Sequence, residues 1–188
     1  MFTENIIIHA QNSTFDVEAQ KFEDSDRELF AQIYRDWRSL SNNLKSIGGR
    51  NVNIPEGLSE GLFCLEMGAS RITKSASGLN SSFDAYCVDT KSRIQVKACS
   101  VLPDLTSFGP KSVWDKLYFC DFYKEGRWDG SFDIYEVPNE LIYNHKVNSV
   151  DTFKDQQRAK RRPRFSIYKD LIIPNKIIPV KTGYAFNV

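Results

Sequence analysis

The sequence predicts an α/β (α+β) fold, with a mixed central sheet flanked by helices. Three observations carry this. Asp24 to Ile47 repeats apolar residues at helical spacing. Ser82 to Cys99 reads as strand, polar turn, strand. Leu117 to Val137 reads as two aromatic-rich strands around Gly126 and Gly130. At 188 residues, 41% hydrophobic and 26% charged, the chain is large enough for a substantial core and is expected to be a single domain.

Residues 1 to about 22 are expected to form a polar arm. In the helix that follows, Leu29, Ile33, Trp37, Leu40, Leu44 and Ile47 recur at spacings of three and four, Asp24 or Ser25 caps the start, and Gly48-Gly49 stops it. That stripe fits packing on the chain's own sheet and a dimer seam equally well. Arg50 to Pro55 is a linker. Pro55 opens a second helix that runs to about Met67 and stops at Gly68, with Leu58, Leu62 and Leu65 on its apolar side and Glu56 and Glu60 four apart on one face. Arg71 to Ser75 is expected to be a short strand, and Ala76 to Ser81 a loop. After the strand pair comes an irregular segment, Val101 to Ser112, with a short helix expected near Lys111. Pro138 opens a short helix through Tyr143. The stretch from Ile177 to Lys181 is read as the last strand, and no internal repeat appears.

Net charge is +1, so bulk charge does not mark a nucleic-acid binder, and distribution matters more. The first thirty residues lean acidic, whereas Lys154 to Arg164 is strongly basic. Cys64, Cys87, Cys99 and Cys120 are widely spaced and form no CxxC pair, which argues against zinc. Three of them, Cys87, Cys99 and Cys120, read as buried strand residues, kept reduced as in a cytoplasmic protein. Ile6-Ile7-Ile8 is too short for a signal peptide, and no apolar run reaches the length of a membrane span.

The strand pair carries the chemistry. Gln95 and Lys97 stand two apart on the second strand, so both point to one face. If the turn closes as a hairpin, Asp84 comes beside them. A carboxylate, an amide and an ammonium then share one small site, at a desolvation cost that a bound ligand would explain. Singly, the three also read as ordinary surface residues of a strand.

This arrangement resembles the PD-(D/E)XK nuclease core, in which an aspartate on one strand precedes acid-x-lysine on the next. Gln95 departs from the pattern, standing where most members carry Glu or Asp, and no Pro precedes Asp84. The order Asp84-Ala85, Gln95-Val96-Lys97, Asp104-Leu105-Thr106, the aromatic strand around Phe119, and Pro174-Asn175-Lys176 ahead of Ile178-Pro179-Val180-Lys181 extends the comparison. In that order the chain resembles the PvuII-like type II restriction endonucleases, and within them the small enzymes that recognise GCNGC.

The resemblance implies a restriction-endonuclease-like core over about 51–188, behind an N-terminal arm and helix over about 1–50 available for dimerisation. It implies a homodimer that uses Mg²⁺ to cut both strands of double-stranded DNA at a short palindrome, leaving 5′-phosphates, with a cognate DNA methyltransferase as genetic partner. Asp84 would be the central metal ligand, joined by the Gln95 amide, the Val96 carbonyl and Glu60, and Lys97 would hold the attacking water. By the same analogy Thr106, Ser107, Lys111 and Ser112 reach base edges, with Asn175 and Lys176 before the last strand as a second reading segment. The basic run, including Arg158, Arg161, Arg162 and Arg164, would contact phosphates, or is a plain solvated loop. Two other functions fit the same residues: a DNA-binding protein whose catalysis is lost through Gln95, and a structure-selective nuclease such as a resolvase or repair enzyme.

Overall fold

In the computed structural model, which describes residues 1–74, 76–80 and 82–186, a mixed eight-stranded sheet runs in the order β1-β2-β3-β4-β5-β7-β8-β10. Ser75 and Ser81, the ends of two segments expected from the sequence, lie outside the described residues. The expectation of a polar arm at the N-terminus is corrected. Phe2–Ala10 (β1) and Ser13–Lys21 (β2) form a hairpin that belongs to the main sheet, with Ile6 opposite Val17 and Ile8 opposite Phe15. Its faces alternate, Ile6, Ile8, Val17 and Ala19 buried and Ile7 exposed. Gln11 and Asn12 form the two-residue turn, both at positive φ, which matches the twist of the strands they join.

Arg27–Ser46 (α1) follows one 3-10 turn at Asp24–Asp26, and Glu56–Met67 (α2) ends on Gly68 in the left-handed region, both close to expectation. The packed face of α1 is not the expected stripe, however. Phe30, Ala31, Tyr34, Trp37 and Ser41 are buried, whereas Leu29 and Leu40 are about half exposed and Ile47 is 79% exposed. Most of the stripe therefore faces away from the chain's own sheet. The two helices touch closely at Gly61, where a Cβ would stand 2.6 Å from the Phe30 ring.

Ser70–Ile72 (β3), Ala85–Cys87 (β4) and Ser92–Cys99 (β5) continue the sheet antiparallel, with Cys87 opposite Ser92 across the turn. Thr106–Ser107 (β6) leaves the sheet to pair with Arg164–Phe165 (β9). Lys116–Asp121 (β7) returns parallel to β5, and Ser131–Val137 (β8) and Lys181–Tyr184 (β10) complete the order antiparallel. No helix forms near Lys111. There the Ser82 hydroxyl accepts from the Val113 amide at 2.9 Å, and the Lys111 carbonyl accepts from Asn80, so neighbouring loops satisfy the backbone that a helix would have used. The last strand begins at Lys181, later than expected, and the Val180 amide donates to Ile134.

Alternation along β5 and β7 assigns the two faces. Ile94, Val96, Tyr118 and Cys120 pack with α1 and α2. Leu117, Phe119 and Val137 pack on the other side with Asn139–Asn144 (α3), Phe153–Arg158 (α4) and a π-helical turn at Tyr168–Ile172. The cysteines are all free. Cys64, Cys99 and Cys120 are buried and Cys87 is partly exposed. Among the described residues no helix is long and apolar enough to cross a membrane.

Candidate active site

Asp84 sits one residue ahead of β4, and its amide donates to the Ile94 carbonyl at 2.9 Å. From there its carboxylate reaches across to β5. Oδ2 accepts from the Val96 amide at 2.8 Å and from the Gln95 side-chain amide, while Oδ1 has no hydrogen-bond partner among the described residues. The hairpin thus brings Asp84 and Gln95 together as expected, with one correction. Gln95 is 3% exposed, so it is no surface amide, and it turns its nitrogen toward Asp84.

α2 supplies the second acid. Glu60 is 9% exposed and its Oε2 takes the Arg71 Nε at 2.7 Å. The next residue, Gly61, makes the close contact with Phe30 on α1. Burial pushes the Glu60 carboxyl up to about 7, and the nearby Asp84 and Glu56 push the same way against Arg71. Burial likewise raises Asp84, opposed by Lys97 and by the Val96 amide. Two acids that resist ionisation at short range mark a place where a cation would relieve the cost.

Lys97 projects from the same face of β5 as Gln95, and its Nζ lies 5.8 Å from the centre of the Phe108 ring. No carboxylate holds it in an ion pair among the described residues. Glu56, Glu60, Val96 and Lys97 line a cleft of about 270 Å³ that also takes in Asp104, Leu105, Thr106 and Ser107. Glu56 is exposed, as a solvated glutamate would be, yet it faces this cleft.

The other expected contact residues divide. Thr106 is buried and gives its hydroxyl to Asp104 at 3.1 Å, so its side chain is occupied, whereas Ser107 is open to the cleft. Lys111 is exposed, and Ser112 is partly so. Asn175 is exposed but donates Nδ2 to the Leu171 carbonyl at 2.8 Å, closing the π-helical turn, and Lys176 is exposed beside it. In the basic run, Arg158 pairs with Asp155 at 3.7 Å and Arg161 with Asp151 at 3.4 Å, while Arg162 and Arg164 are exposed.

Two residues escaped the sequence reading as parts of the site. Arg71 holds Glu60, and its only local signal was a charge on a short strand. Asp104 is buried and accepts from Thr106, from the Ser166 hydroxyl, from the Ile167 amide at 2.8 Å and from the Tyr168 amide at 3.2 Å. It therefore ties the β6 segment to the start of the π-helical turn, a link between distant stretches that no local pattern announces.

The oxygen donors here suit a hard divalent ion: Glu56 and Glu60 line the cleft beside Val96, and Asp84, whose carboxylate accepts from the Val96 amide, stands just outside that lining. Among the described residues no three His, Cys, Asp or Glu side chains group closely enough to hold a metal by themselves. An ion that keeps most of its waters needs no such group.

The model of the Bsp6I restriction endonuclease family matches residues 22–174. The type II restriction enzyme Bsp6I of Bacillus sp. (strain RFL6) is 33% identical over 167 residues, covering 87% of this chain and 88% of that protein. No solved structure gives a significant match. The β1–β2 hairpin precedes the matched residues.

Proposed function

The chain belongs to the Bsp6I restriction endonuclease family and is a type II site-specific deoxyribonuclease; on that premise we propose that the cleft beside α2 and β5 is where it hydrolyses double-stranded DNA. One observation supports the placement above others: buried Glu60 and half-buried Asp84, both with raised pKa values, stand beside a lysine that no carboxylate holds in an ion pair among the described residues.

Asp84 is the central ligand for Mg²⁺, offering Oδ1 while the Val96 amide fixes Oδ2. Glu60 restores negative charge that Gln95 does not bring. Gln95 would serve as a ligand once its amide flips to turn the oxygen in place of the nitrogen toward Asp84 and the ion, and the Val96 carbonyl is a further candidate. When bound, the ion supplies charge neutralisation at the phosphate and acidifies water. Lys97 orients the attacking water and stabilises the charge that builds on the phosphate oxygens, held in place by its contact with Phe108. The products carry 5′-phosphate and 3′-hydroxyl ends.

The target in this reading is a short palindrome such as GCNGC, as in the PvuII-like branch. Ser107 reads base edges from the cleft wall, with Lys111, Ser112, Asn175 and Lys176 as further contacts. A palindrome calls for a two-fold pair of subunits. The exposed stripe Leu29, Ile33, Leu40 and Ile47 on α1 supports a homodimer joined there. A cognate DNA methyltransferase as genetic partner and a cytoplasmic setting complete the proposal.

Digestion of a sequenced plasmid, with the ends mapped, tests it. The expected result is discrete fragments in Mg²⁺ and none in EDTA, all ends falling at one short symmetric sequence. Intact plasmid in Mg²⁺, or cutting confined to branched DNA, would contradict it.

A further inference from the structure

Beyond the cleft, across Asp104 and Leu105, lies a second depression of about 480 Å³ that shares both residues with it. Lys146, Arg164 and Lys169 line this trough. All three are exposed, and none is held in an ion pair among the described residues. The two acids in its wall are already engaged: Asp104 by its four donors, and Asp170 by the Ser166 amide at 3.0 Å. Three exposed cations therefore face solvent around carboxylates that already accept from the chain's own amides and hydroxyls.

The floor connects the trough to the site. The His145 ring centre lies 4.4 Å from that of Phe165, Phe165 stacks on Phe108 at 5.6 Å and 17°, and the Lys97 Nζ lies 5.8 Å from the Phe108 centre. One aromatic column thus has the candidate catalytic lysine at one end and the trough at the other. The rest of the basic run differs. Two of its arginines, Arg158 and Arg161, already have acid partners.

We propose that Lys146, Arg164 and Lys169 form a phosphate track, taking the backbone of duplex DNA next to the phosphate held in the cleft. The inference rests on the nuclease reading and adds Lys146 and Lys169 to it. Flexible ammonium groups around a shallow depression suit phosphates, which need charge rather than the planar match that base edges require. The track sets register and affinity and leaves sequence preference unchanged.

The test is binding of a duplex by fluorescence anisotropy across a salt series in EDTA, for the parental protein and the K146Q/K169Q double variant. Each lost phosphate contact flattens the slope of log K against log salt by about 0.9, so the double variant is expected to be shallower by nearly two, with equal weakening on cognate and unrelated sequences. The single variants K146Q and K169Q, each shallower by about 0.9, carry the test if the double variant misfolds. Unchanged slopes in folded variants overturn the track, as does a loss confined to the cognate sequence. A parental protein that neither binds nor cuts any duplex overturns the nuclease reading instead, so the two failures are separable.

Discussion

On one side of Asp104 and Leu105, the cleft buries its charges; on the other, the trough leaves them in water. Glu60 is buried and held by Arg71, and half-buried Asp84 is held by the Val96 amide and the Gln95 side chain. Lys146, Arg164 and Lys169 are exposed, and their side chains form no ion pair among the described residues. The difference teaches how a nuclease separates two tasks. A site that must hold an ion in one geometry accepts strain in the empty state, since buried acids cost free energy until a cation arrives. A surface that must slide along a polyanion needs only loose, hydrated charge.

The largest expected effect lies in the cleft. Asp84→Asn and Lys97→Ala are each expected to slow plasmid cutting by about 10²–10³-fold or more while duplex binding persists. Substitution of Lys146 and Lys169 is expected to act the other way round, on binding and its salt dependence. Equal loss of binding in both sets, measured by anisotropy, breaks the comparison.

Stability against pH sharpens it. Glu60 ionises near 4.5 when unfolded and at about 7 when folded. Between these values the folded chain holds a proton that the unfolded chain has lost, so the Glu60 contribution to stability is most favourable below pH 4.5 and falls as pH rises through about 7. The loss is about 3 kcal/mol, and raised Asp84 adds to it in the same direction. Urea denaturation at several pH values without divalent ions measures this. Glu60→Gln is expected to flatten the profile, and K146Q/K169Q to leave it unchanged. A parental profile that rises across the window contradicts the account of burial.

Smaller effects test the scaffold. Gly61→Ala is expected to cost about 1–3 kcal/mol, because its Cβ meets the Phe30 ring at 2.6 Å and must push α1 from α2. The exposed stripe on α1 is expected to resemble the trough in being dispensable for folding: Leu40→Glu with Ile47→Glu should convert dimer to monomer in sedimentation while shifting the melting temperature little. A dimer that survives both changes places the subunit contact elsewhere.

The contrast also explains what was legible in the sequence. Asp84, Gln95 and Lys97 were visible because a tight turn joins their strands, so spacing alone fixes their faces. α2 was visible from Pro55 and Gly68. The trough was not, since Lys146, Arg164 and Lys169 come from three separate segments gathered by Asp104 and the Phe165 stack. The α1 stripe misled in another way. Its heptad spacing is real, but the core took only Trp37 from it, together with Phe30 and Tyr34 on the adjoining face. The N-terminal hairpin escaped because three consecutive isoleucines mask an alternation in which only Ile6 and Ile8 turn inward, and because Gln11-Asn12 is a weaker turn signal than Asn-Gly.

The central claim is that Asp84 and Glu60 hold a divalent ion beside Lys97, and thermal unfolding with increasing Mg²⁺ addresses it most directly. The account predicts that the parental protein melts higher as the ion is added, and that Asp84→Asn combined with Glu60→Gln starts more stable and gains nothing. An equal rise in both proteins would contradict it, placing the ion at some other part of the molecule.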